Sequence, residues 1–339
     1  MRIRSLLSQL LVATTLSAVL SAYAAQTTQP SLLSNSEPIL LSQVSAEDYL
    51  QKGRDLLDWE RYQEAITAFD RAIQLQPDNY KALTNRGIAL YELKRYDEAI
   101  EAYDKALQIK PDLAAAWNNR ANALVDSNRP IDGLASYDKA LGINQRDADA
   151  WSNRAVVLRK LNRHHEAVAS TSKALQIEPN EPRILINHGI SLGRVNRFEE
   201  ALASIDKALQ IQSSPLGLYY RGYILDEMKR YEQAIAAYDQ VIANDAKASH
   251  AWHNKGVTLA NLQRNEQAIA AYDKAIQINN YFSELIDLNA ADSWYARGRV
   301  LYTMKRYQEA VSSFDRAISL RSDFSDAIKA RSITQQQLK

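Results

Sequence analysis

A chain of 339 residues with 41 Lys plus Arg, 40 Asp plus Glu and a formal net charge of +1 offers no polybasic surface for a phosphate backbone. Nucleic acid is therefore not an expected partner. The chain has no cysteine, which removes disulfides, thiolate chemistry and cysteine-ligated metals.

The chain opens with two arginines in Met1–Arg4, an apolar run over Ser5–Leu20, and Ala22-Tyr23-Ala24. That is the layout of a secretory leader, residues 1–24, cleaved after Ala24. It implies export to a periplasmic or extracellular space, with an uncleaved membrane-anchored form as the alternative. No later segment approaches the ~20 apolar residues of a spanning helix, so no stable span is expected after cleavage. Residues 25–45, with Pro30, Pro38 and many Ser, Thr, Gln and Asn, read as a flexible linker.

From residue 46 the sequence repeats itself. In Tyr80–Leu113 the residues Gly87, Leu90, Ala99, Tyr103, Ala106 and Pro111 stand at offsets that recur every 34 residues. The units are 46–79, 80–113, 114–147, 148–181, 182–214, 215–248, 249–282 and 291–324, with an insertion at 283–290 and a closing helix over 325–339. Each unit pairs a small slot on its first helix (Gly53, Gly87, Ala121, Ala155, Gly189, Gly222, Gly256, Gly298) with one on its second (Ala65, Ala99, Gly133, Ala167, Ala201, Ala234, Ala268, Ala310). Small residues there let two antiparallel helices approach closely. Thr171 and Ile205 stand where other units carry Phe or Tyr, which predicts looser packing in units 4 and 5. Pro77, Pro111 and Pro179 end second helices, and Asp78, Asn79, Asp112 and Asn180 are candidate caps for the first helix of the next unit. A turn Arg in every unit is expected to meet free carbonyls and carboxylates at the first helix's end. The series Asp70, Asp104, Asp138, Asp206, Asp239, Asp273, Asp315 and Arg86, Arg120, Arg154, Arg221, Arg297 are candidate ion-pair partners.

These offsets resemble the tetratricopeptide repeat, W-x2-L-G-x2-Y, then A-x3-F-x2-A, then P. In the second unit Leu83 replaces the leading Trp and Arg86 the Leu before the glycine. The resemblance implies an all-α, right-handed solenoid whose first helices face the hollow of a superhelix. By the same resemblance, the second, fifth, sixth, ninth, twelfth and thirteenth residues of each unit point into that groove.

At the sixth slot stand Asn85, Asn119, Asn153 and Asn187 in four successive units, and Asn254 in the seventh. The series resembles the asparagine ladder of the O-linked N-acetylglucosamine transferase superhelix, which holds an extended peptide by its backbone. An amide offers a donor and an acceptor and so pairs with a peptide unit whatever its side chain. Asn at this slot can equally act within the array. Arg159, Lys160, Arg183 and Arg194 form a basic band in the middle of the groove, suited to an acidic segment of a partner. Tyr91, Tyr219, Tyr223, Tyr295 and Tyr302 supply groove aromatics. The carboxylate clamp of chaperone-binding members is missing, because its Lys and Asn slots hold Thr84 and Ile88, or Asn118 and Asn122.

There is no phosphate-cradling glycine loop and no H-E-x-x-H. His250 and His253 lie three apart on one helix without an evident third metal ligand. The expectation is a non-catalytic scaffold without cofactor or metal that binds proteins or extended peptides and supports assembly of complexes. An envelope glycan-recognition subunit, using Tyr and Trp platforms, is the alternative, as is the regulatory part of a glycosyltransferase system. Trp117, Trp151, Trp252 and Trp294 speak against glycan binding, since they occupy the unit's own core slot.

Overall fold

The computed structural model describes residues 44–278 and 290–339. The leader, most of the linker, and residues 279–289, where the insertion falls, lie outside the described residues. Residues 46–339 form one compact unit. Among the described residues the secondary structure is seventeen α-helices. The first four units give α1 (Ala46–Asp58), α2 (Tyr62–Leu75), α3 (Tyr80–Glu92), α4 (Tyr96–Ile109), α5 (Ala114–Asp126), α6 (Pro130–Ile143), α7 (Ala148–Lys160) and α8 (His164–Ile177). The next three give α9 (Pro182–Gly193), α10 (Phe198–Ile211), α11 (Pro215–Glu227), α12 (Tyr231–Asn244), α13 (Ser249–Asn261) and α14 (Asn265–Ile278). The last unit gives α15 (Ala290–Thr303) and α16 (Tyr307–Leu320), followed by α17 (Ser325–Gln336).

Each helix packs on its sequence neighbours, and first helices of adjacent units, such as α3 and α5 or α9 and α11, also meet. Second helices make their contacts to first helices, so the stack curves with the first helices on its inner wall. This is an all-α superhelix of helix pairs, as the 34-residue period predicts.

The small slots have a specific occupant. A Cβ on Gly53, Gly87, Gly222, Gly256 or Gly298 would fall 2.3–2.7 Å from the ring of Phe69, Tyr103, Tyr238, Tyr272 or Phe314, respectively, on the second helix of the same unit. Those rings are at most 2% exposed, and each contributes about 1.5–3 kcal/mol by its burial. Thr171 and Ile205, at the ring position of units 4 and 5, are both fully buried. In unit 4 the slot holds Ala155, and the shorter Thr171 leaves room for its methyl.

The turn within each unit is a Schellman closure without glycine. Glu60, Lys94, Asn128, Asn162, Asn196, Lys229, Gln263 and Lys305 all have positive φ. In the first unit Glu60 N–H donates to the Leu57 carbonyl at 2.9 Å and Arg61 N–H to that of Leu56 at 2.8 Å, and the other turns repeat this. A left-handed non-glycine residue costs roughly 1–2 kcal/mol, which these paired carbonyls offset.

The turn arginine therefore answers the carbonyls with its backbone, not its side chain. Its guanidinium reaches forward to a carboxylate in the first turn of the second helix, as in Arg95–Glu98 at 2.6 Å and Arg163–Glu166 at 2.7 Å. Arg264 reaches back instead to Glu232, at 3.0 Å. Of the candidate caps only Asn79 serves, accepting from Ala82 N–H at 3.0 Å. Asp78, Asp112 and Asn180 each fall one residue early, and the N-caps of α5 and α9 are Leu113 and Glu181.

The Asp and Arg series pair across the joints between units. Asp70–Arg86, Asp104–Arg120, Asp138–Arg154, Asp206–Arg221 and Asp273–Arg297 lie at 2.6–2.7 Å. Lys255 takes the cation's place opposite Asp239, at 2.6 Å. At the joint between units 4 and 5 both members are replaced together. Ser172 stands for the acid and His188 for the base, and Thr171 Oγ1 meets His188 Nδ1 at 2.8 Å instead. The closing helix α17 continues the series with Arg331 opposite Asp315 at 2.6 Å. It packs on α16 and also meets α15, the place that the first helix of a following unit takes.

Candidate functional site

The tryptophans are not core residues, as the sequence pattern suggests, but half-buried braces on the wall. The indole N–H of Trp117 donates to the Pro111 carbonyl at 2.9 Å, and that of Trp151 to Gln145 at 3.0 Å. The cations Arg120, Arg154, Lys255 and Arg297 lie over Trp117, Trp151, Trp252 and Trp294 at 5.3–5.7 Å. Each brace holds a wall cation over its face, and the N–H groups of Trp117, Trp151 and Trp252 are engaged as well.

On the inner wall the five ladder asparagines divide. Asn85, Asn119 and Asn153 are partly exposed and make no side-chain hydrogen bond among the described residues. Asn187 is committed: its Nδ2 donates to Ser152 Oγ at 2.9 Å and its Oδ1 accepts from Arg159 at 3.2 Å. Asn254 donates to the Tyr219 hydroxyl at 2.7 Å. Both bonds to the preceding unit span 35 residues. The sixth slot of unit 6 holds Tyr220 and that of unit 8 Ala296, so the open ladder covers units 2 to 4.

The groove aromatics also differ in accessibility. Tyr219 is 5% exposed, packed edge-on against Tyr220 and His250 at 5.2 and 4.9 Å, and so belongs to the floor. Tyr91 donates to Asp126 at 2.5 Å, and both line a cleft of about 290 Å³ together with Asn153 and Lys160. Tyr295 and Tyr302 line a larger, mainly apolar cleft of about 580 Å³ with Val257, Ala260, Ile333 and Arg299. Tyr223 is half-buried beside Glu227, and burial pushes its hydroxyl pKa up.

The basic band is not a uniform strip. Lys160 and Arg194 are exposed, and Arg183 pairs with Asp149 of the preceding unit. Arg159 lies enclosed across α9, donating to the Asn187 carbonyl at 3.2 Å and to Ser191 Oγ at 3.0 Å. Burial, added to by the charge of Arg194 and opposed by Tyr220, pushes its pKa down to about 10. Position in the repeat does not reveal this, because its partners Asn187 and Ser191 lie 28 and 32 residues on, across the joint and at other slots.

His250 and His253 do not share a ligand position. His250 packs edge-on against Tyr219, whereas His253, 7% exposed, meets Ser293 Oγ through Nδ1 at 2.9 Å and lies 5.5 Å from the Tyr272 ring. Burial lowers the His253 pKa to about 4. Among the described residues no cluster of three metal-ligating side chains occurs, and no helix is long and apolar enough to cross a membrane.

Models of the tetratricopeptide repeat match residues 50–114, 148–181, 217–248 and 247–323, more than half of the chain. The chain belongs to the tetratricopeptide-repeat family. A search of the curated proteins returned no match. Among solved structures, this tetratricopeptide-repeat chain is similar to the APC/C hetero-tetramer Cut9–Hcn1, at 14% identity and TM-score 0.59 over 87% of its own length. It spans 57% of that chain. It is also similar to PilW, a type IV pilus biogenesis factor, at 19% identity and TM-score 0.57, covering 64% of this chain and 97% of that one. At such identities the likeness is one of fold.

Proposed function

We propose that this tetratricopeptide-repeat protein is a non-catalytic scaffold that holds an extended peptide segment of a partner protein along its first helices. The observation that carries the reading is the row Asn85, Asn119 and Asn153, three amides at one slot of successive units with no partner of their own. Elsewhere the same amide is drawn into internal bonds, at Asn187 and Asn254. The small cleft beside Asn153, walled by Tyr91 and Lys160, gives the peptide's side chains a place next to the row. That the fold serves in multi-protein assemblies, as in Cut9–Hcn1, agrees with a scaffold role.

Replacing Asn85, Asn119 and Asn153 together by Ala is expected to remove about 0.5–1.5 kcal/mol per lost hydrogen bond. If the losses add, that weakens a peptide partner isolated by crosslinking by at least ~10-fold in titration calorimetry. Helicity and melting temperature should stay at wild-type values, because no buried group loses its partner. Unchanged affinity in this variant would remove the ladder from the mechanism.

We further propose that the scaffold works outside the cytoplasm. The support is the basic–apolar–Ala22-Tyr23-Ala24 order of the first residues. N-terminal sequencing of protein recovered from the cell envelope is expected to begin at Ala25. Recovery of Met1 in washed membranes would favour the anchored form.

A further inference from the structure

The arginines of this chain that hold the fold together face carboxylates: those of the wall face Asp, and most of those in the turns face Glu or Asp. Arg159 departs from this pattern. Its guanidinium is enclosed in the groove at the joint of units 4 and 5, and all three of its hydrogen bonds go to neutral acceptors, Asn187 O, Asn187 Oδ1 and Ser191 Oγ. A guanidinium has five N–H donors, so two remain without an acceptor among the described residues. Arg194, one unit on and exposed, stands close enough for its charge to act on Arg159, Tyr219 and Tyr223. Tyr220, at the slot where the ladder is interrupted, neighbours the same guanidinium.

The nearby carboxylates are engaged elsewhere. Asp149 is taken by Arg183. Glu227 lies beside Tyr223, and Asp226 lies beside Thr258 and Asn261. The place therefore holds two positive charges, one of them largely stripped of water and fixed in orientation by Asn187 and Ser191.

We propose that Arg159 and Arg194, with the Tyr220 hydroxyl, form a carboxylate-binding subsite that takes one Asp or Glu side chain of the peptide lying in the groove. The inference rests on the groove-binding reading above and adds a position at which that peptide is read for charge. Two free donors on a fixed guanidinium match the two oxygens of a carboxylate. A phosphate dianion, with three oxygens to satisfy, is served less well. Arg194 supplies a second, mobile charge that closes over the bound group. Such charge-assisted contacts in an enclosed site discriminate strongly between an acid and its amide.

The test uses the full chain labelled with 15N-arginine, observed through its Nε–H resonances. The probes are an acetylated, amidated nonapeptide of Ser and Ala with one central Glu, the same peptide with Gln, and inorganic phosphate. The Glu peptide is expected to shift the Arg159 and Arg194 resonances saturably, at a concentration at least ~10-fold below any response to the Gln peptide. Arg194→Ala should abolish the Glu-over-Gln preference at Arg159 while leaving the melting temperature unchanged. In the variant with Asn85, Asn119 and Asn153 replaced by Ala, the preference should persist even if overall affinity falls, which separates this subsite from the ladder. Four results would overturn it. They are no saturable shift, equal shifts at exposed arginines such as Arg230, responses to phosphate at or below the Glu-peptide concentration, and an Arg159→Gln variant that melts lower but leaves Arg194's response unaltered. The last would make Arg159 a strut between units 4 and 5 and nothing more.

Discussion

At pH 5 the joint between repeats 7 and 8 is expected to open ahead of the rest of the superhelix. His253 on α13 is buried against Ser293 of α15 and the ring of Tyr272, and burial, only partly countered by Asp292, lowers its pKa from 6.5 to about 4. A histidine whose folded pKa is depressed contributes its full share of stability above 6.5. The share shrinks as pH falls, because the opened state binds the proton first. The difference amounts to roughly 2 kcal/mol at pH 5 and roughly 3 kcal/mol once pH is below 4. His188 at the joint of repeats 4 and 5 and His250 are lowered in the same direction by burial, so they add to the trend elsewhere. The turn carboxylates Glu98, Glu166, Glu200 and Glu309 are held below their usual value by their arginines, and they titrate only at more acid pH. Hydrogen exchange corrected for intrinsic pH dependence should therefore show residues 290–336 losing protection at pH 5 while residues 80–160 keep theirs. His253→Asn, neutral at every pH, should remove most of that difference. Equal loss of protection in both segments, or an unchanged response in the Asn variant, would show that another group governs the acid limb.

A single methyl group on Gly87 is expected to lower stability by about 1–3 kcal/mol, the cost of overfilling a packed interior. The added Cβ would fall 2.5 Å from Cε1 of Tyr103, a ring 1% exposed. Repeat 3 carries that methyl. There Ala121 occupies the slot, the opposing small residue is Gly133, and a Cβ on Gly133 would fall 2.6 Å from Val125 Cγ2. The ring of Tyr137 stays buried and its hydroxyl donates to Asn122 Oδ1. One methyl has moved from the second helix to the first. Gly87→Ala combined with Ala99→Gly should accordingly be more stable than the sum of the single changes by at least ~0.5 kcal/mol, although each alone destabilises. Urea melts of the four proteins in a double-mutant cycle would measure this. Strict additivity would mean that the two slots do not share space and that repeat 3 solves the problem by other means.

How much the sequence discloses depends on whether the interacting residues keep a constant place in the period. The glycine slots, the second-helix rings and the Asp–Arg pairs recur at constant offsets, so their periodicity exposes them. Even the double replacement Ser172 and His188 is visible once the pairing is known to cross the joint. The groove is harder because its contacts run between different slots of successive repeats. Asn187 looks like Asn153 in the period, yet Ser152 and Arg159 draw it into the wall. Asn254 is held by Tyr219, and Tyr91 by Asp126, each 35 residues away. These partners are particular to one joint and leave no periodic trace. The left-handed turn residues stay hidden for another reason, since Glu, Lys, Asn and Gln fill a place where glycine would have announced it.

The wall pairs carry one more implication. Nearly every repeat offers an acid forward and a base backward, so a unit carries the same connector at each end wherever it sits. Excision of residues 114–147 would bring Asp104 against Arg154 with the partner types unchanged, and duplication of that stretch would do the same. Genes for such chains can lengthen or shorten by unequal crossing-over in whole periods without creating a mismatched seam. The seam between repeats 4 and 5, with Thr171 and His188 as its private connector, is where such trading would be penalised, and it fixes the position of Arg159 along the groove.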